Sequence, residues 1–426
     1  MKKVLIITSS GGGGLIQAAK AKEQEIKLQS PKTIIFTRDM MKEWVWKIIG
    51  VFGINSWNRS QKRGFVRPLE WLGYCLKCAD YIIWPKVFFH VFHILKKEGI
   101  ERVIDTQPLG TSAIIRAIRL YNWCRKKNVV LEKMIVDLPT KKSVHFFGGI
   151  KRLTRNDKKF LRLISIKPLL EKEKTFEEFW EKHCKISESI VLYEEYPIRQ
   201  SFKEFMGKSR KKESFSFFVR AKNKEEAKMM EQTFSLGNIL SKKMDENFSF
   251  TLKKEDKSIF ILLGSQPSYE ATCNYVKNFI QLVRKKNKKK NYHLFVFCAD
   301  SSSSVLFRQI YYIANKEKSY PKNLSIIPFS FQKDDVIAPL FFRSDLTITR
   351  SGGQSAMELM AIAHGETWVH SEAKVVSNKD YEDVFTKLLK GIPAWEEGNA
   401  RYMVEKMNSK IVTPDTFSNH CEFLFS

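Results

Sequence analysis

With 426 residues, of which 43% are hydrophobic, the chain is long enough for two or three domains and too apolar for global disorder. Lysine and arginine number 73 against 46 acidic residues, and the net charge of +27 favours phosphates, nucleic acid or anionic lipid as partners. Seven scattered cysteines fit a reducing compartment better than a disulfide framework, and no uncharged apolar run reaches the length of about 18 residues needed for a spanning helix.

The chain opens on an apolar run, Val4–Thr8, followed by Ser9-Ser-Gly-Gly-Gly-Gly14. This spacing predicts a first strand and turn, then a helix from Leu15 to about Lys27, and not a signal peptide. Further strands are predicted at Thr33–Thr37, Arg102–Asp105, Met134–Asp137 and Ser189–Tyr193. A second series follows at Ser258–Leu263, His293–Cys298, Leu324–Ile327, Leu346–Thr349 and Thr367–His370. Short apolar strands alternating with helical patterns predict parallel, doubly wound α/β sheets, whose ligands bind at the carboxyl ends of the strands.

The domain expectation is therefore 1–200, a charged insertion or mobile arm at 203–257, 258–395, and a helical segment at 396–426 that crosses back. One segment breaks the alternation. Residues 42–95 hold Trp44, Trp46, Trp57, Trp71 and Trp84 among Lys42, Lys47, Arg59, Lys62, Arg63 and Arg67. Aromatic and basic residues together suit contact with a membrane surface; helices packed on the sheet with a solvated basic edge would read the same way. The run Lys285–Lys290 is expected to be a solvated loop, since no nucleic-acid motif accompanies it.

Three Gly/Ser turns carry the chemistry. Gly12, Gly13 and Gly14 let backbone amides approach a ligand, as do Gly264, Ser265 and Gln266 at the start of the second series. The third, Arg350-Ser-Gly-Gly-Gln354, joins a strand to a helix, with Ser351 expected as the N-cap. Unpaired amides at a helix start bind phosphate, and Glu358, about two turns along, is placed for a ribose hydroxyl. Arg199, in Tyr196-Pro-Ile-Arg199 between the halves, is placed for a diphosphate. Asp137 closes a strand at the catalytic edge and His145 follows in a loop, so these two are the candidate bases.

Taken in order, the Ser-Gly-Gly-Gly-Gly, Pro-Ile-Arg, Gly-Ser-Gln and Arg-Ser-Gly…Glu motifs resemble the GT-B glycosyltransferases. The branch is that of the peptidoglycan lipid-II GlcNAc transferase and the monogalactosyldiacylglycerol synthases. Thr349–Glu358 is similar to the former; Gln107-Pro-Leu109, Val136-Asp-Leu138 and Pro197-Ile-Arg199 are similar to the latter. The resemblance implies two facing Rossmann-like domains and inverting transfer from a UDP-sugar, without a bound metal or other cofactor. It also implies roles: ribose binding for Glu358; diphosphate contacts for Ser265, Gln266, Gly352 and Gly353; a place against the uracil for Phe329. Asn399 would lie near the donor sugar, and Glu396 stands where a Gln is usual. The family's histidine at the first turn is replaced by Gly14 and Leu15, and its His-Pro-Leu by Gln107-Pro-Leu109. The expected partners are a nucleotide-sugar and a membrane lipid or anionic membrane surface, with no nucleic acid, for a cytoplasmic protein peripheral on the inner face of the membrane. A catalytically inactive binding module on the same scaffold and a sugar-nucleotide 2-epimerase are the alternatives.

Overall fold

Apolar runs ending in Gly or Ser turns assemble into parallel sheets in the computed structural model. It describes residues 2–10, 13–209, 214–286, 290–300, 302–316, 320–374 and 383–425, without the side chains at 48, 49, 77 and 144. The first sheet contains β1 (Lys3–Thr8), β2 (Ile34–Asp39), β3 (Arg102–Asp105), β4 (Leu131–Met134), β5 (Leu161–Ser165) and β6 (Val191–Tyr193), in the order β2-β1-β3-β4-β5-β6. Then come β7 (Phe215–Arg220), β8 (Leu240–Met244) and β9 (Asn247–Leu252), an antiparallel sheet ordered β7-β9-β8. The second large sheet comprises β10 (Lys257–Leu262), β11 (Tyr292–Phe297), β12 (Leu324–Phe329), β13 (Leu346–Thr349), β14 (Glu366–His370) and β15 (Lys410–Val412), ordered β12-β11-β10-β13-β14-β15.

Both six-stranded sheets are parallel throughout. Helices cover both faces of such sheets, so most of their strands are apolar along their length; β4, with buried Glu132 and Lys133, and the partly exposed edge strand β2 are exceptions. Val4, Leu5, Ile6 and Ile7 are all buried, and so is every residue of β11. Leu5 lies beside Phe36 and Val103, and Ile261 beside Val296 and Ile348. Each such buried side chain contributes about 1.5–3 kcal/mol, which fixes the register. The fold is α/β of the GT-B type, with two Rossmann-like doubly wound sheets meeting at their carboxyl edges. Strand order reverses between β1 and β3 in the first sheet and between β10 and β13 in the second, the places where such sheets open a crevice.

Several elements differ from the sequence reading. β4 runs over Leu131–Met134, so Asp137 lies in the loop beyond it. β5 and β15 were not read from the sequence. The stretch after 203 contains a sheet packed into the second core through Phe217 and Phe250 against Phe295. Its signal is the alternation Phe248, Phe250, Leu252, buried in β9 and hidden in the sequence by the surrounding lysines. The charged 203–257 stretch and the Lys285–Lys290 run each fall partly on residues outside those described, at 210–213 and 287–289.

Between β2 and β3 the chain forms a helical hairpin: Lys47–Lys62, a turn, and a 33-residue helix Val66–Glu98. Ile83, Val87, Val91 and Leu95, spaced by four, make the buried stripe of the long helix. Gly64, at φ +66°, makes the turn, because the left-handed conformation costs glycine nothing. Trp44 is buried and Trp84 reaches Ser112 Oγ at 3.4 Å, whereas Trp46 and Trp71 are exposed. No helix among the described residues is long and apolar enough to cross a membrane.

Candidate functional site

The turns singled out in the sequence meet at the seam between the two large sheets. The Gly13 amide donates to Ser265 Oγ at 3.2 Å, and a Cβ on Gly13 would lie 2.7 Å from the Ser265 Cβ. The Gly353 amide donates to Asp137 Oδ1 at 3.2 Å, and a Cβ there would lie 2.0 Å from the Val136 carbonyl oxygen. Glycine at both positions is thus required by the approach of one half to the other. Cβ atoms on Gly14 and Gly352 would meet open space. Gly12 lies outside the described residues. Gly264 takes φ +77° two residues after the end of β10, turning the chain toward Ser265.

The third turn opens the helix Gly353–Ile362. Its N-cap is Gly352 rather than the expected Ser351, whose buried hydroxyl makes no hydrogen bond. Arg350 is buried, with Nε 4.0 Å from Glu396 Oε2. Nearby, Glu372 is held below the usual carboxylate range: burial pushes it up, but His370, Ser268 and Arg350 together outweigh that.

Glu358 is fully buried and engaged. Arg199 donates to it in a fork, Nε to Oε1 at 2.6 Å and Nη2 to Oε2 at 2.5 Å, and Gln354 Nε2 donates to Oε1 at 2.7 Å. The same guanidinium donates through Nη1 to Asp334 Oδ1 (2.6 Å) and Gln17 Oε1 (3.0 Å), while Lys20 reaches Asp334 at 2.7 Å. Burial opposes the charge on Arg199, but Glu358 and Asp334 hold its pKa above the ordinary value. Asp334 and Gln17 were missed in the sequence. Asp334 opens a helix, and an acidic residue in a first turn is commonplace enough to hide its partner.

Asp137 and His145 form the other centre. Asp137 Oδ1 accepts from Asn399 Nδ2 at 2.9 Å as well as from Gly353. Burial and the nearby Glu396 push its carboxyl up to about 7, against these two hydrogen bonds. His145 Nε2 lies 3.9 Å from Asp137 Oδ2. Burial and Lys133 push the imidazole down to about 3, so it is neutral at pH 7. Lys133 is itself fully buried in an ion pair with Asp105 at 2.6 Å, and it also donates to the Gln107 carbonyl. A cavity of about 120 Å³ lies beside His145, lined also by Tyr74, Asp80, Leu109 and Arg152.

Asn399 laces the halves together. Its Oδ1 accepts from the Leu138 amide at 2.7 Å, and its Nδ2 also donates to the Ser351 carbonyl at 2.8 Å. Its helix, Glu397–Met407, carries Glu397, which pairs with Lys142 of the first half. Phe329 is not brought to the seam; its ring lies in the second core between Phe260 and Phe297. Five buried polar atoms on the predicted residues make no hydrogen bond: His145 Nδ1, Gln266 Oε1, Ser351 Oγ, Gln354 Oε1 and Glu396 Oε2. Leaving a buried polar atom unmet costs about 1–3 kcal/mol, and these five are among the unmet buried polar atoms of the described residues.

No protein-family model matches the chain, and no curated protein matches its sequence. Among solved structures it is similar to MurG of Acinetobacter baumannii, with a TM-score of 0.46 and 11% identity over 100% of this chain and 91% of that one. It is also similar to UDP-GlcNAc 2-epimerase from Neisseria meningitidis bound to UDP-GlcNAc, with a TM-score of 0.42 and 12% identity over 100% and 98%. A third is the spinosyn rhamnosyltransferase SpnG complexed with thymidine diphosphate, with a TM-score of 0.41 and 8% identity over 100% and 90%.

Proposed function

We propose that the chain is a glycosyltransferase that passes a sugar from a nucleotide-sugar, UDP-linked, to an acceptor hydroxyl by inverting, metal-independent displacement. The observation that carries this reading is the row of unmet buried polar atoms between the 264–266 and 350–354 turns and Asp137. The diphosphate lies against the amides of these turns, with Arg199 and Arg350 supplying positive charge. Arg199 exchanges Glu358 for the diphosphate, and the released carboxylate takes the ribose hydroxyls. Asp137 removes the acceptor proton as the hydroxyl attacks the anomeric carbon. A base works best with a pKa near the operating pH, so a carboxyl near 7 suits this step and an imidazole near 3 does not.

The acceptor is the head of a membrane lipid. Trp46, Val51, Phe52, Phe65, Trp71, Tyr74, Tyr81, Ile82 and Phe89 of the hairpin region are all exposed, nine of the 21 large exposed hydrophobic side chains of the described residues within 44 positions. Exposed Lys47, Arg59, Arg63 and Arg67 stand among them. This mixture suits the headgroup level of an anionic bilayer.

A second reading, an inactive binding scaffold, is favoured by one observation: both Glu358 oxygens are already taken by Arg199. A screen of UDP-, GDP- and ADP-sugars with lipid-extract acceptors separates the two. Transfer from one donor supports the enzyme, a changed sugar without acceptor indicates epimerisation, and no turnover of any donor leaves the scaffold.

A further inference from the structure

The hairpin reaches across to the second half at its tip. Lys62 Nζ lies 3.1 Å from Asp300 Oδ2, in the loop after β11. Gly64 packs on Glu372, in the loop after β14; a Cβ at position 64 would lie 2.4 Å from Glu372 Oε2. Behind the tip, Trp57 stacks on Trp395 with centroids 5.2 Å apart. In the second sheet β11 and β14 flank β10 and β13, between which the strand order reverses. Residues 62–64 therefore touch one side of the switch point and then the other, and so bridge the mouth of the crevice bounded by the 264–266 and 350–353 turns.

Charge at this mouth is unbalanced. Asp300, Glu372 and Glu396 all stand on the second half's edge, with Arg350 among them. A diphosphate entering there would meet three carboxylates, so a cation brought from the first half favours its binding beside the second half's own Arg350 and Lys222, the latter 3.1 Å from the Asp300 carbonyl oxygen. The tip brings Lys62 and Arg63.

We infer that residues 62–64 are a strap over the donor crevice, in which Lys62 leaves Asp300 to contact the diphosphate of a bound nucleoside-diphosphate sugar. The inference rests on the donor reading above and adds a first-half residue to the donor site. Lys62 is a positioning and binding residue and takes no part in proton transfer. Its side chain is half-exposed, so its replacement leaves folding intact.

The test is calorimetric titration of UDP, GDP and ADP, each beside its nucleoside, into wild type, Lys62→Gln and Lys62→Arg. Lys62→Gln is expected to weaken the diphosphate that binds by roughly five- to tenfold, the loss of one partly exposed charge-assisted contact. The nucleoside should be unaffected, and Lys62→Arg should retain most of the affinity. In parallel, bound diphosphate should slow tryptic cleavage after Arg59, Lys62, Arg63 and Arg67. A wild type that binds a diphosphate as tightly as Lys62→Gln does, or less tightly, overturns the strap alone. A wild type that binds none of the three overturns the donor reading, and the strap with it.

Discussion

Two polar centres lie on the same seam and are finished to opposite degrees. Around Arg199, every guanidinium nitrogen has a partner: Glu358 takes two, and Asp334 and Gln17 share the third. Around Asp137, the carboxyl is pushed up to about 7, and the neighbouring His145 Nδ1 and Glu396 Oε2 have no hydrogen bond. A buried network that satisfies itself is a latch, while one left short of partners is a place where something else binds or reacts. The first holds the halves in register until a ligand takes the place of Glu358 on Arg199, and the second keeps a carboxyl pushed up to about 7 beyond the end of the first sheet.

The contrast is most readily broken at the latch. Glu358→Ala leaves a buried guanidinium with Asp334 and Gln17 alone, and should cost about 3–5 kcal/mol in urea unfolding. A cost below about 1 kcal/mol would contradict the latch, which a bound diphosphate opens by taking the place of Glu358 on Arg199. At the other centre, Asp137→Asn should slow transfer by about 10²–10⁴-fold while diphosphate affinity is kept. The wild-type rate should rise with pH through an apparent pKa near 7.

The same carboxyl makes a stability prediction with a definite sign. An unfolded aspartate titrates near 4, and the folded one near 7. Its contribution to stability is complete below about pH 4 and is lost as pH rises through 7. Asp137→Asn should therefore gain stability relative to wild type between those values, measured by thermal unfolding across pH. A flat difference would place the carboxyl's pKa in the ordinary range.

Asn399→Ala strands the Leu138 amide and removes one of the bonds restraining Asp137, for about 1–3 kcal/mol. It should also move the rate-controlling pKa upward, which a merely structural asparagine would not do. The smallest effect on the folded protein is expected at the hairpin. Phe52→Ser, Trp71→Ser and Phe89→Ser together should cut co-sedimentation with anionic vesicles at least about tenfold, since these side chains are among those with most apolar surface to bury. The thermal midpoint in buffer should not fall.

Much of the fold was legible because both large sheets are buried on both faces, so their strands stand out as apolar runs ending in Gly or Ser. Hidden elements were those whose apolar residues alternate among lysines, such as Phe248 and Phe250, or whose strands are short, such as Lys410–Val412. At the seam, Gly13, Ser265 and Gly353 could be found from their turns, because each turn follows a strand, while Asp137 was read as a strand end and lies in the loop beyond β4. Their mutual contacts could not, since Gly13 and Ser265 are 252 positions apart. Phe329, a position that matched a family pattern, holds a ring packed between Phe260 and Phe297. The strap was invisible, because Lys-Arg-Gly in a basic stretch looks like any solvated turn until Asp300 and Glu372 are seen beside it.

The central claim is that a nucleoside diphosphate lies in the seam between the second half's two Gly turns and the first half. Hydrogen exchange of the full chain, with and without UDP, GDP or ADP, tests this most directly. The account predicts that one diphosphate slows exchange together at 264–268 and 350–358, with protection spreading to 59–67. Unchanged exchange at both turns with every nucleotide at saturating concentration would contradict it.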